Sequence, residues 1–282
     1  SNNSTNEKDL IKINNHYNKL TKHNINIKEN SILYKIFGPS LEVNTRHLYA
    51  LDKVKKPFKV TAVSNDNIIE AIEYIDDNNF ILGVQFHPED LNNTEALYNY
   101  FIEEIIKRKN IIKAIGEIGL DYHYPINETE KNNQKDIFIS QICLAKKLNL
   151  PIVIHSRDAD KDTFDILCQY AQDMKVYLHC YSGSYEMAKE YIKKIPNIHF
   201  GVGGIVTFKN AKKLVEVVEK IDLKYFLTET DAPYLTPVPF RGKQNEPSYL
   251  IYVINKISEL KNMNEVKVEE ILFENAREFF DL

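Results

Sequence analysis

The sequence predicts an α/β fold, namely the last five or six βα units of a partial (β/α)8 TIM-type barrel preceded by an α/β fragment with antiparallel hairpins. From Ile111 onward, short apolar runs alternate with helical patterns, which predicts βα units and a parallel sheet. Upstream, FKVTAV, IIEAIEY and FILGVQF are separated only by the turn-rich connections Ser64–Asn67 and Asp76–Asn79. A parallel crossover needs about a dozen residues, so these strands must be antiparallel. The two patterns predict domains over residues 1–109 and 110–282.

The elements of the second domain are predicted in regular order. Strands are expected at KAIGEIGLD, PIVIH, VYLHC, HFGVGGIVTF and YFLTETD. Helices are expected near Glu130–Leu148, Lys161–Ala171, Tyr185–Lys194, Ala211–Ile221, Tyr249–Leu260 and Val266–Phe280, and a further helix over Thr94–Lys109 leads into this domain. At roughly 31 residues per unit of an eight-fold barrel, these strands account for most of such a barrel but leave its beginning without a counterpart.

Composition narrows the classes of partner. The formal net charge of −4, with both signs interspersed, gives no basic footprint, so a nucleic acid would have to be held by a local site. The cysteines, Cys143, Cys168 and Cys180, are odd in number and lie in apolar surroundings, which predicts buried, reduced thiols without a disulfide. No apolar run approaches the length of a membrane span, and the polar start SNNSTNEKDL lacks a signal pattern. A cytoplasmic protein without membrane association is therefore expected.

Four candidate metal ligands are predicted at the carboxyl ends of strands. They are Glu117, His155, His179 and Asp231. In an eight-fold barrel this end carries the active site, and converging carboxylate and imidazole groups suit a divalent cation such as Mg, Mn or Zn. For each residue alone, an isolated polar cap of a strand is the better interpretation, but four in register favour a metal site.

The order of the motifs in this region resembles the TatD family of metal-dependent deoxyribonucleases, within the amidohydrolase-like barrels. The matching segments are GEIGLDY, LPIVIHSRDA, LHCYSG, GGIVTF, LTETDAPYLTP, RGKQNEP and ENAREFF. The resemblance implies a nuclease in which Glu117 bridges two metals and His155 and His179 bind one of them. It also implies that Asp231 binds the other and accepts a proton from the attacking water, so that Asp231 and Glu117 are the catalytic residues.

By the same resemblance, Arg157, Arg241 and Lys243 lie near the phosphate of a DNA or other phosphodiester substrate, with ordinary surface charge as the alternative for each. One feature departs from the family pattern. Members begin with a strand that ends in His-x-His and supplies two metal ligands, and no His-x-His occurs in this chain. The expectation is at most one tightly bound divalent metal, and impaired hydrolysis.

The first domain resembles a different family, the C-terminal portion of class I glutamine amidotransferase-like γ-glutamyl hydrolases. The resemblance covers about residues 23–107 through HNINIKENSILYKIFG, VNTRHLYALD, FKVTAVSNDNIIEAIEY and FILGVQFHPEDL. It implies that His87 is the general base of a Cys-His-Glu triad and Glu89 its orienting carboxylate. All three cysteines fall in the second domain, so the triad is expected to be vestigial. TatD-like proteins also carry a His-Pro segment after their third strand, which would make FILGVQF a sixth barrel strand.

The interpretation is a TatD-like hydrolase acting on phosphodiester bonds of DNA, whose first part is replaced by a glutamine amidotransferase-like fragment through fusion, recombination or an error in the reading frame. Two alternatives stay open. The chain could be a γ-glutamyl hydrolase with a cysteine lent by a second chain, or a folded, catalytically inactive remnant that binds one metal or none. The oligomeric state does not follow from the sequence.

Overall fold

A computed structural model describes most of the chain. The described residues are 10–12, 21–45, 49–75, 80–88, 91–123 and 126–282. The chain divides into two compact units, Ser1–Arg108 and Lys109–Leu282. Within the described residues, no helix is both long enough and apolar enough to cross a membrane.

The first unit is built on antiparallel strands. Its strands are β1 (Leu10–Lys12), β2 (Thr21–Ile27), β3 (Ser40–Thr45), β4 (Tyr49–Leu51), β5 (Phe58–Ser64), β6 (Ile69–Tyr74) and β7 (Leu82–Val84), and its helices are α1 (Ile32–Phe37) and α2 (Glu95–Lys107). Strands β1 and β4 pair with each other, and the other five form a sheet in the order β3-β2-β5-β6-β7. Both β5 with β6 and β6 with β7 pair antiparallel, as their short connections require. The buried core of this unit includes Ile25, Leu33, Val43 and Ala62.

The second unit is an α/β structure with a wholly parallel sheet. Its strands are β8 (Ile115–Asp121), β9 (Ile152–Arg157), β10 (Val176–Leu178), β11 (Ile198–Val202) and β12 (Phe226–Thr228). They lie side by side in chain order, each parallel to the next. The alternation of helices and strands predicts this order, because each helical crossover returns the chain to the end of the sheet at which the previous strand began. Consecutive placement brings the carboxyl ends of all five strands to one side.

Helices follow the strands at the positions that the periodicity predicts. They are α3 (Glu128–Leu148), α4 (Asp160–Tyr170), α5 (Tyr185–Lys194), α6 (Lys212–Lys220), α7 (Leu250–Lys261) and α8 (Glu265–Phe280). Helix α3 begins with a capping box, in which Asn127 accepts from the Glu130 backbone and Glu130 accepts from that of Asn127. The side chains of Ser184 and Asn264 accept hydrogen bonds from backbone N–H groups in the first turns of α5 and α8. The strands beneath are nearly continuous apolar runs, and the side chains of Ile152, Ile154, Val176, Ile198, Phe200 and Phe226 are fully buried.

Two expectations for this unit are wrong in detail. The strand expected over HFGVGGIVTF ends at Val202, and Gly204–Thr207 form a 3-10 helix. A Cβ at Gly204 would lie only 2.0 Å from the carbonyl oxygen of Leu235, so this backbone packs directly against a neighbouring segment and leaves the sheet. The cysteines are not fully buried: Cys143 is exposed on α3, because it lies off the core-facing side of that helix, and Cys168 and Cys180 are only partly buried. All three cysteines are free, as expected.

Candidate metal centre

A β-bulge displays the first candidate ligand. In the pairing of β8 with β9, Ile115 is opposite Ile152 and Ile118 is opposite Ile154, so Gly116 and Glu117 together face a single residue. Bulges of this kind redirect a side chain and are frequent beside active sites. Glu117 therefore lies inside β8 and not at its carboxyl end, where the sequence predicts it. Its side chain is 46% exposed and faces the histidines of the next two strands.

The four candidate ligands converge. The Oε1 atom of Glu117 lies 3.5 Å from Nδ1 of His155 and 3.4 Å from Nε2 of His179. The same Nε2 atom of His179 lies 3.3 Å from Oδ1 of Asp231. His155 belongs to β9, His179 follows β10 directly, and Asp231 lies three residues beyond β12. These three strands therefore position the two histidines and Asp231.

Asp231 is turned toward the centre by an unusual backbone. Its φ angle is 55°, in the left-handed region that few non-glycine residues adopt. The segment after it is tied down by Asn245, whose Nδ2 donates to the carbonyl oxygens of Thr230 at 2.7 Å and Tyr234 at 2.6 Å. Asn245 is itself buried, so these two bonds hold the chain on both sides of Asp231 in one conformation.

Two further carboxylates, which sequence reasoning did not single out, contact the ring nitrogens of the histidines that face away from Glu117. Glu229 accepts a hydrogen bond from Nδ1 of His179 at 2.6 Å. Asp121, the last residue of β8, lies 3.1 Å from Nε2 of His155. Both belong to segments already recognised, LTETD and GEIGLD, and a carboxylate two or four residues from a predicted ligand was the available signal. In metal sites the ring nitrogen that does not bind the metal almost always donates to such a group.

The carboxylates raise the basicity of the imidazole between them. Burial favours the neutral ring of His179, but the hydrogen bond and charge of Glu229, with the charges of Glu117 and Asp231, together raise its pKa to about 9. Burial acts against ionisation of Asp121 as well, yet hydrogen bonds from the His123 backbone and from His155 lower its pKa below the ordinary value. The carboxylates therefore concentrate negative charge at the site, and this charge favours binding of a cation.

The donor set fits a divalent cation. Carboxylate oxygens and imidazole nitrogens are the ligands of Zn, Mn and Mg in different proportions, and Glu117 lies in pairwise contact with both histidines, as Asp231 does with His179. A second grouping, made of His179, Cys180 and Glu229, has ligand atoms within 4.8 Å of one another. Burial and the charge of Glu229 raise the pKa of the Cys180 thiol, and a thiol binds metal well only as thiolate. The first grouping is thus the better site.

The three cationic residues expected near substrate differ in position. Arg157 ends β9, two residues after His155, and is paired with Asp121 in the β8–β9 ladder. Arg241 lies over the ring of Phe208 at 3.9 Å and Lys243 over that of Phe240 at 5.3 Å. In the described part of the chain, neither of these two forms a hydrogen bond or ion pair with the four candidate ligands.

The residues of the expected vestigial triad belong to the first unit. The backbone of His87 is held by Asn44, which donates to its carbonyl oxygen at 2.9 Å and accepts from its N–H at 2.8 Å. Glu89 lies outside the described residues, so its geometry relative to His87 is not described. The three cysteines all lie in the second unit.

A parallel α/β sheet whose strand ends gather imidazoles and carboxylates around one point defines the class of metal-dependent hydrolases. Comparison with known proteins identifies the family. The family model described as TatD-related DNase matches residues 29–281, and the chain belongs to the TatD family of metal-dependent hydrolases. The match thus begins well upstream of the parallel sheet.

Relatives and solved structures agree with this family. The chain is 43% identical over 232 residues to the uncharacterized metal-dependent hydrolase YabD of Bacillus subtilis, covering 81% of this chain and 89% of YabD. It is 35% identical to the uncharacterized hydrolase MG009 of Mycoplasma genitalium, covering 69% of this chain and 73% of the other. Among solved structures, the TatD homologue YjjV of Escherichia coli K12 superposes with a TM-score of 0.61 at 27% identity, over 70% of this chain and 75% of that one. A TatD-family hydrolase of Entamoeba histolytica, with a TM-score of 0.58 at 21% identity over 69% of this chain and 71% of that one, shares the fold. These neighbours imply a TIM-barrel-like α/β fold.

Proposed function

We propose that the chain hydrolyses phosphodiester bonds of DNA with the help of one tightly held divalent cation. The observation that carries the proposal is the convergence of Glu117, His155, His179 and Asp231, with Nε2 of His179 within 3.4 Å of two carboxylate oxygens. The family model that matches this chain is described by deoxyribonuclease activity, which supports DNA as the substrate class.

Glu117, His155 and His179 would hold the cation. A divalent cation held there would polarise a phosphoryl oxygen and would lower the pKa of water from about 15.7 to about 7. Asp231, held in its conformation by the bonds of Asn245 on either side, accepts the proton of the attacking water at Oδ1. Asp231 is 31% exposed, so water reaches it directly.

The positive charge of Arg157 binds the phosphate of the substrate. Its position beside Asp121 lets the guanidinium contact a phosphate oxygen of a DNA strand lying across the carboxyl ends of β8 and β9. Arg241 and Lys243 extend this contact along the segment that follows Asp231. The guanidinium carbon of Arg241 lies 3.9 Å from the centre of the Phe208 ring, and an arginine at such a site is suited to bidentate binding of a phosphate.

Architecture and location complete the proposal. We propose that the five consecutive parallel strands are the last five units of the family barrel, which their unbroken order supports. For the first unit, the proposal is a glutamine amidotransferase-like fragment that is catalytically inactive, since no cysteine lies within it. Three free thiols favour a reducing compartment such as the cytoplasm.

Hydrolysis of single-stranded DNA is the test. Purified full-length chain is incubated with a labelled oligonucleotide and Mg²⁺, Mn²⁺ or Zn²⁺, and Asp231→Asn serves as the variant that lacks the base. Metal-dependent cleavage by the parent chain, with loss of at least about a hundredfold in Asp231→Asn, is the expected result. Cleavage that is equal in the variant, or absent with every metal, rejects the proposal.

A further inference from the structure

Glu229 is the most heavily engaged carboxylate near the site. It accepts hydrogen bonds from the Tyr177 hydroxyl, from Nδ1 of His179 at 2.6 Å and from the backbone N–H of Cys180 at 2.6 Å. Its side chain is only 11% exposed. A buried carboxylate with three donors is fully satisfied, and its orientation is fixed by all of them together.

The backbone leaves a space of the size of this carboxylate. A Cβ on Gly201, in β11, would lie 2.6 Å from Oε1 of Glu229 and 2.8 Å from Oε2. Glycine at this position therefore admits the carboxylate between β10 and β12, behind the ring of His179. The neighbouring Gly203 leaves the Cγ atom of Glu229 at 3.5 Å from an added Cβ, an ordinary contact.

The two histidines face the centre of the site with different ring nitrogens. His179 has Nδ1 against Glu229 and Nε2 toward Glu117 and Asp231, whereas His155 has Nε2 against Asp121 and Nδ1 toward Glu117. When each ring is neutral, the nitrogen that donates to the outer carboxylate leaves the other nitrogen unprotonated, and that nitrogen faces the centre.

From this arrangement we propose that Glu229 is a positioning residue that keeps the proton of His179 on Nδ1 and thereby makes Nε2 the cation-binding atom. The inference rests on the proposed function and deepens it, because it assigns the atom through which the cation is held. Removing the carboxylate releases the ring to rotate or to carry its proton on Nε2, where the proton would block binding. Loss of such an outer partner lowers metal affinity by about 10–100-fold in comparable sites.

The test measures zinc affinity and the atom that binds. Glu229→Gln keeps the volume and one acceptor oxygen, so it is expected to fold and to bind Zn²⁺ about tenfold more weakly, whereas Glu229→Ala is expected to lose up to about a hundredfold. Affinity is determined by competition with a chromophoric chelator on the full chain. Long-range ¹H–¹⁵N correlation of the zinc-loaded parent protein is expected to show Nε2 of His179 bound and Nδ1 protonated.

Asp162→Asn is the matched control. Asp162 also accepts from a tyrosine hydroxyl, that of Tyr122 at 2.9 Å, and its other partner is Lys135. Zinc affinity within about twofold of the parent is expected for this variant, because surface-linked carboxylates away from a site act on it only weakly. Thermal unfolding of every variant without zinc separates a loss of folding from a loss of binding.

Three results overturn the inference. They are unchanged zinc affinity in both Glu229 variants, an equal loss in Asp162→Asn, and zinc bound through Nδ1 of His179. The last outcome, combined with lost affinity in Cys180→Ser, would place the metal between His179, Cys180 and Glu229. If the parent chain binds zinc and cleaves DNA but the Glu229 variants behave like it, only this inference fails. If the parent binds no metal, the proposed function itself fails.

Discussion

Replacing Gly119 with alanine perturbs the contact between the two strands that carry Glu117 and His155. Gly119 has a φ angle of 146°, and a Cβ there would lie 1.9 Å from the carbonyl oxygen of His155 and 3.1 Å from its nitrogen. The clash is with backbone, so no side-chain rotation relieves it. The backbone conformation costs about 1–3 kcal/mol for a non-glycine residue, and forced separation of packed strands costs about 1–3 kcal/mol more.

The expected loss in free energy of unfolding for Gly119→Ala is therefore about 2–6 kcal/mol. Gly242→Ala is the control, since Gly242 also has a positive φ, 85°, but an added Cβ meets nothing within 4 Å. It should lose only about 1–2 kcal/mol from conformation alone. Urea titrations followed by far-ultraviolet circular dichroism measure both. Equal losses in the two variants would refute the close approach of β8 and β9 on which the site is built.

Three other predictions concern metal ligands, the expected Cys-His-Glu triad and pH. His155→Ala or His179→Ala should abolish tight Zn²⁺ binding in calorimetry, because each removes an imidazole donor that lies against Glu117, while Asp231→Asn should bind zinc normally. Turnover of γ-glutamyl substrates should be undetectable, and His87→Ala should change nothing in an amidase assay; turnover that disappears in this variant would contradict the account. Burial raises the pKa of the Glu70 carboxyl from 4.5 to about 8. The folded state favours the neutral Glu70 carboxyl, so the stability associated with that form is full below about pH 4.5 and is lost as pH rises toward 8. Glu70→Gln should therefore flatten the decline in melting temperature of the first unit between these pH values. An equally steep decline in the variant would argue against this assignment.

The alternation of apolar runs and helical patterns was sufficient to predict the parallel strand order and the helices of the second unit. Helix α5, Tyr185–Lys194, begins and ends where the periodicity places it, because Ser184 caps its first turn. The end of β11 at Val202 could not be predicted in this way. The apolar letters of GGIVTF continue the strand pattern, and only the packing of Gly204 against Leu235 turns them into a 3-10 helix.

The candidate site could be predicted in part for a similar reason. Histidines at strand ends stand out in a sequence, so His155 and His179 were identifiable. The bulge that turns Glu117 inward depends on the register of two strands distant in sequence, which no local pattern reveals. Asp121 and Glu229 look like ordinary acidic residues until the fold places each one behind a histidine ring.

Metal content after extensive dialysis tests the central claim most directly. The full-length chain is loaded with Zn²⁺, dialysed against metal-free buffer and analysed by inductively coupled plasma mass spectrometry. One equivalent per chain is predicted, held by Glu117, His155 and His179, because Asp231 and Glu117 alone hold a second cation only weakly. Retention of two equivalents, or of none, would contradict the account.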